Sequence, residues 1–396
     1  MRKIYLDNAA TTPIAKEVID VMRESMLENF GNPSSTHQFG RKAKNLVETA
    51  RKSIANLLNA SATEIIFTAG GTEADNLILH NAVTNLGVKR MITSKIEHHA
   101  VLHTVAFLKD TCNIEVDFVD VLPTGDISLK HLEDLLKKTN KKTLVSLMYI
   151  NNEIGNILPL KQVCDLCDTY NALFHSDTVQ AVGHYTINLQ ETPIDFMVAS
   201  AHKFHGPKGV GFAYFKKGFG IQPMFHGGDQ EKGARSSTEN VHGILGMEKA
   251  FLIASKTLES DMMTMNTLKV FFMKELLNIN PNIRFNGQSS NIELSSCTIL
   301  SVSLPIKNEL LLFNLDLYGI AVSGGSACQS GSSNGSHVLS EITSDDLEGY
   351  TSVRFSFSRF TKKEDLEKLM TMILNLRKKI QINCQIIKKQ SYKQVF

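Results

Sequence analysis

Cysteine is scarce in this chain: six in 396 residues, at positions 112, 164, 167, 297, 328 and 384. So few thiols in so long a chain exclude a disulfide framework and predict a reducing compartment, the cytoplasm by default. Net charge is equally thin. Forty-two Lys and Arg against forty Asp and Glu leave +2, which gives no reason to expect nucleic acid or a membrane surface as the main partner. Long apolar runs are missing too. No stretch approaches the ~18 residues of a membrane span, and the opening MRKIYLDNAATTPIAK holds no run of signal-peptide length. There are no internal repeats and no low-complexity segments. What remains is globular composition, 42% hydrophobic and 21% charged, in a length that predicts two or three domains at about 150 residues each.

Short β-branched runs alternate with helical patterns through the first 215 residues. Strands are expected at Glu64–Thr68, Arg90–Thr93, Ile114–Val119, Thr143–Ile150, Ala172–Asp177, Asp195–Ser200 and Gly209–Phe215. Several are almost wholly apolar, as strands covered on both faces are. With helices between them, they predict an α/β fold around a mainly parallel, doubly wound seven-stranded sheet. In such sheets ligands sit beyond the carboxyl ends of the strands, which directs attention to AGGTE, NNEIG, DTVQ and AHK. After Phe215 a Gly-rich loop, His226 to Asn240, leads into a long helical pattern from Val241 to about Asn278. A smaller α+β unit follows, with a strand near Thr298–Ser303, a helix near Asn308–Leu317, a loop at Ser323–Ser336, the strand TSVRFSFS and a last helix from about Lys362 to Ile380. The cations at 377–379, 388, 389 and 393 read as a solvated helix end suited to the C-terminal dipole, with a partner-docking tail as the alternative.

Three segments bear on chemistry. Ala69-Gly-Gly-Thr-Glu73 joins a strand to a helix start, where glycines admit a ligand and free N–H groups attract phosphate. A capping box of Thr72 and Asp75 reads the same residues without a ligand. Asp177 ends one strand and Lys203 follows the next, a pairing that suits pyridoxal phosphate, which needs a lysine for its Schiff base and a carboxylate for its ring nitrogen. In SAHKFHGPKGVGF, Ser200 and His202 are within reach of the phosphate. Cys328 sits among serines and glycines with almost no apolar anchor, unlike a buried structural cysteine. Cys164-x-x-Cys167 lies on an expected helix with no second pair, so two incidental helix-face thiols are preferred over a redox or zinc site.

In order along the chain stand YLDNAATTP, GGTEADN, IEHHAVL, NNEIG, HSDTVQ, SAHKFHGPKG, GGDQEKGARSSTEN, SGGSACQSG and SVRFSFSRF. Together they resemble a cysteine desulfurase of the NifS/IscS type, within the class V aminotransferases of the fold-type I pyridoxal phosphate enzymes, from Tyr5 to Phe360. The resemblance implies a large cofactor-binding domain over 15–258, and a small domain of 1–14 with 259–396 that carries the cysteine loop. It implies that Lys203 holds pyridoxal 5'-phosphate covalently, Asp177 keeps the ring nitrogen protonated, and Gln180 bonds the phenolate oxygen. His98 would stack on the ring and move protons. Gly71, Thr72, Ser200 and His202 would bind the phosphate, joined by Thr238 from a second subunit of a homodimer. Asn152 and Arg354 would hold the carboxylate of L-cysteine; from local sequence alone, a surface salt bridge is the simpler reading of either arginine, Arg354 or Arg359. Cys328 would take the sulfur as a persulfide and pass it to an iron–sulfur scaffold or a tRNA-thiolation protein.

The sequence departs from that family in having Ser323-Gly324-Gly325 where many relatives have two serines, in reading SSNGSHVL after Cys328 without the frequent Glu-Pro, and in its basic tail. These departures bear on the sulfur acceptor. The competing readings are another class V enzyme (an aminotransferase or a selenocysteine lyase) and a non-catalytic sulfur-pathway binding protein.

Overall fold

A computed structural model describes residues 3–306, 310–324, 335–342 and 349–375. The chain forms β1 (Ile4–Tyr5), α1 (Lys16–Glu28) and α2 (Gln38–Leu57). It then alternates through β2 (Ile65–Thr68), α3 (Gly71–Thr84), β3 (Arg90–Ser94), α4 (His99–Cys112), β4 (Glu115–Val119), α5 (Leu129–Lys137), β5 (Thr143–Ser146), α6 (Leu160–Thr169), β6 (Leu173–Asp177), β7 (Phe196–Ser200) and β8 (Gly211–Phe215). These seven strands after β1 make one sheet in the order β2-β8-β7-β6-β5-β3-β4. All neighbours are parallel except β8, which runs antiparallel to β2 and β7. Every residue of β2, β3, β5, β7 and β8 is buried, as helices on both faces require. The β5 run stops at Ser146 rather than Ile150. Beyond it the Leu147 and Tyr149 N–H groups still bond the His175 and Asp177 carbonyls, while the Met148 N–H turns to Glu97 Oε1 at 3.0 Å.

The 39-residue α7 (Val241–Ile279) follows, about 58 Å long at 1.5 Å per residue. Its first half, with Ile244, Met247 and Phe251, joins the core under the sheet. Its second half, with Met265, Leu268 and Phe272, joins a separate core. That second core holds β9 (Arg284–Phe285), β10 (Ile299–Leu304), α8 (Leu311–Leu317), β11 (Ile320–Ala321), β12 (Thr351–Ser356) and a helix α10 over 363–375, while α9 (His337–Ile342) packs Val338 and Ile342 against Ile96 and Ile154 in a small cluster of its own. Here the sheet is antiparallel in the order β12-β10-β9. The last helix was expected to run to Ile380; residues after 375, with the basic tail, lie outside the described residues.

The N-terminal segment crosses between the two cores. β1 pairs in parallel with β11, and the Asn8 side chain and Ala9 N–H bond Ser356 at 2.8 and 2.9 Å. Six residues after Ala9, Ala15 is already in the first core.

Candidate active site

The carboxyl ends of β6 and β7 open on a cavity of about 230 Å³. Asp177, the last residue of β6, lines it and accepts the Val179 N–H at 2.9 Å. Gln180 follows in the same turn, its amide donating to the Ala9 carbonyl at 2.9 Å. Ser200 ends β7, and the 3-10 turn Ala201–Lys203 sets His202 and Lys203 on the cavity wall. Lys203 Nζ donates to the carbonyls of Ala9 and Ala10 at 2.6 and 2.9 Å. Thus the crossing N-terminal segment supplies part of the wall.

Gly71 and Thr72 enter from the start of α3. The helix is capped by Gly70 (φ 154°) with no side-chain cap bond, so the Thr72–Asp75 capping box is not formed. Thr72 lies inside the first turn instead of before it, and Asp75 is buried. No side chain therefore caps this turn, whose Gly71 and Thr72 line the recess, and a Cβ on Gly71 would fall 2.7 Å from Val179 Cγ2. Next to it an open groove is lined by Gly70, Thr72, Ser200, His202 and Lys208.

His98 comes from the N-cap of α4, where its Nδ1 accepts the Ala100 N–H at 3.1 Å. A neutral ring so held carries its proton on Nε2. Burial lowers its pKa, Lys203 and His337 lower it further, and Asp177 and Glu153 oppose them. Burial, with Lys203 and Lys208, takes His202 down to about 4. From the far side come Asn152 and Arg354 of β12. Arg354 is 2% exposed; its Nη1 donates to the Asn152 carbonyl at 2.8 Å and its Nη2 to Asp7 at 3.0 Å.

Ten expected site residues therefore share one cavity, drawn from six segments. Two do not join them. Thr238 is exposed and off the wall, and Cys328 lies outside the described residues. Arg359 pairs with Asp261 at 3.2 Å instead. Cys164 and Cys167 are packed in the main core, and burial pushes both thiols up, Cys164 to about 12. Sequence reasoning missed Asp75 as a wall residue. It is 1% exposed, with Oδ1 3.3 Å from His175 Nε2. Burial, then Asp177 and Glu97, raises its pKa well above the usual carboxylate range.

The aminotransferase class-V family profile matches residues 4–369. A cysteine desulfurase IscS of Dictyoglomus turgidum is 40% identical over 381 residues, covering 96% of this chain and 95% of that one. The chain belongs to the class-V aminotransferases, in their cysteine desulfurase branch. Among solved structures, a NifS-like protein superposes with a TM-score of 0.87 at 34% identity, over 95% of this chain and all of that one. A structure described as SspA in complex with cysteine gives 0.77 at 29% identity, over 91% and all, respectively.

Class-V enzymes use pyridoxal 5'-phosphate, and the residues present fit it. The lysine amine and the Asp177 carboxylate line one cavity, as the aldehyde and the ring nitrogen require. The uncapped α3 start, with Thr72, Ser200, His202 and Lys208 around it, has the donors and charge for a phosphate. The glycine at 71 keeps that end open.

Proposed function

We propose that the protein is a cysteine desulfurase that converts L-cysteine to L-alanine and carries the sulfur as a persulfide on Cys328. The observation that carries the proposal is the meeting of Lys203, Asp177, His98 and Arg354 in one cavity of a chain of this family. The bound cofactor supplies an electron sink for negative charge developing at the substrate Cα. Asp177, placed against the ring nitrogen, would keep that sink strong. Lys203, after holding the cofactor, is free to take the Cα proton while substrate is bound. Arg354 and Asn152 grip the substrate carboxylate, a task for which a guanidinium fork is suited. His98, with Nε2–H at the cavity, moves protons at the reacting atoms. The Cys328 thiolate attacks the substrate sulfur; the S–S bond forms, the Cβ–S bond breaks, and Cβ gains a proton.

The reading extends to the assembly. Large and small domains divide at 14/15 and 258/259, in keeping with two separate cores joined by α7. Thr238 reaches the phosphate of a second subunit, in keeping with its exposure and with its place off its own chain's cavity wall. The persulfide passes to an iron–sulfur scaffold or a tRNA-thiolation protein in the reducing cytoplasm. Among the described residues no helix is long and apolar enough to cross a membrane.

The test is to give purified protein L-cysteine and a thiol reductant and to assay sulfide and alanine. Equal amounts of both are expected, with Cys328→Ser keeping the yellow cofactor absorption and losing sulfide. Sulfide undiminished in Cys328→Ser would overturn the persulfide route. A colourless protein that takes up no cofactor would favour a binding role.

A further inference from the structure

Arg354 is held from two sides. Its Nη1 donates to the Asn152 carbonyl at 2.8 Å and its Nη2 to Asp7 Oδ1 at 3.0 Å. Its buried Nε meets no acceptor among the described residues. A guanidinium is a rigid plane of five N–H groups, so fixing Nη1 and Nη2 fixes where Nε–H points. The Asn152 carbonyl is main chain. Asp7 is the only side chain among the described residues that bonds Arg354, and it is itself fixed. Ser323 Oγ donates to the same Oδ1 at 2.7 Å, and Asp7 pairs as a backbone bridge with Ser356 on the strand of Arg354. Ser323 and Arg354 exchange backbone bonds in both directions.

A carboxylate beside an arginine that is meant to grip another carboxylate has a cost, since it takes up part of the charge available to the ligand. It is useful only if orientation gains more than the charge loses. Holding a binding group within a fraction of an ångström of its productive place is worth such a cost. We propose that Asp7 is a positioning residue for substrate recognition: it orients Arg354 so that the unpartnered Nε edge faces the carboxylate of an α-amino acid. This rests on the reading of Arg354 as the carboxylate grip.

The test reads KM and kcat for L-cysteine in Asp7→Ala, Asp7→Asn and Arg354→Ala. It also titrates the absorption of the bound cofactor with L-alanine and with ethylamine, which lacks a carboxylate. Asp7→Ala is expected to raise KM about tenfold with kcat within about twofold, as loss of one charge-assisted bond implies. It should weaken L-alanine alike while leaving ethylamine unchanged. Asp7→Asn keeps an acceptor for Nη2 and is expected to stay within about threefold of the parent. Ser323→Ala, which removes only the hydroxyl that fixes Asp7, should show a smaller shift of the same kind and serves if Asp7→Ala does not fold. If Arg354→Ala loses L-alanine while neither Asp7→Ala nor Ser323→Ala changes its affinity, the positioning role falls and the grip stands. If Asp7→Asn is as impaired as Asp7→Ala, charge rather than orientation is at work, and the role falls as well. If Arg354→Ala binds L-alanine and ethylamine as the parent does, the carboxylate grip itself is wrong.

Discussion

His98 does two jobs with one ring. Nδ1 caps α4 through the Ala100 N–H, and the other nitrogen is left for the cavity. Asn is a good N-cap but carries no titrating proton, so His98→Asn separates the two. It is expected to keep the unfolding midpoint of the parent and to lose about a hundredfold in kcat, while His98→Ala loses both activity and about 1 kcal/mol of cap stability. Equal kcat in His98→Asn and the parent would remove His98 from the chemistry. Because the ring's pKa is lowered, the neutral form holds at pH 7, and any acid limb due to His98 lies below the ordinary histidine value. Lys203 and Asp177 were legible in the sequence as a pair that suits the cofactor, whereas His98 and Arg354 came from the family resemblance, since local sequence alone favoured a surface salt bridge for the arginine. Asp75 and Asp7 were not legible, because what matters about them lies elsewhere in the chain. Asp75 on α3 meets His175 on β6, and Asp7 meets a residue 347 positions away.

α7 shows the same limit at the scale of an element. Its length was legible from periodicity, and the expected end near Asn278 lies one residue from the observed Ile279. Its interior cation was not. Lys269 is fully buried, with Nζ bonding Ser295 Oγ at 2.8 Å and the Ser296 carbonyl at 2.7 Å. Burial takes its pKa from 10.5 down to about 8. A lysine lowered on folding weakens the fold while both states are charged, and that cost fades as pH rises from about 8 to 10.5. The shift corresponds to up to about 3 kcal/mol. Lys269→Met should therefore gain on the parent most at pH 7, and the gain should shrink by about that amount by pH 11, as urea unfolding across the range would read. A difference that stays flat with pH would mean that the lysine is not perturbed. Strand direction was likewise hidden: the run at Gly211–Phe215 reads like the parallel strands, yet β8 is antiparallel, since an apolar run has no direction of its own.

For the whole molecule, the shared-site proposal predicts complementation. In a mixed dimer of Lys203→Ala with Thr238→Ala chains, one of the two cavities collects both defects and the other collects none. Co-expressed chains should regain up to about half the parental activity per dimer, together with the parental cofactor affinity that Thr238→Ala alone loses by about tenfold. If Thr238 serves its own chain, mixing restores nothing. The shift in pattern after Phe215 pointed to a second, smaller unit, whereas the N-terminal crossing has no periodicity to betray it and was expected only from the resemblance, which put residues 1–14 with that unit. That crossing also bears on synthesis. The Asn8 and Ala9 segment, which receives Lys203, is docked by Ser356 and by the strand at Ile320. A ribosome must therefore deliver some 350 residues before the first ten can take their place. Nascent chains halted before that point would fold much of the sheet yet lack the wall that steadies the lysine, so cofactor capture should come late, as the closing step of a contact that spans almost the whole described chain.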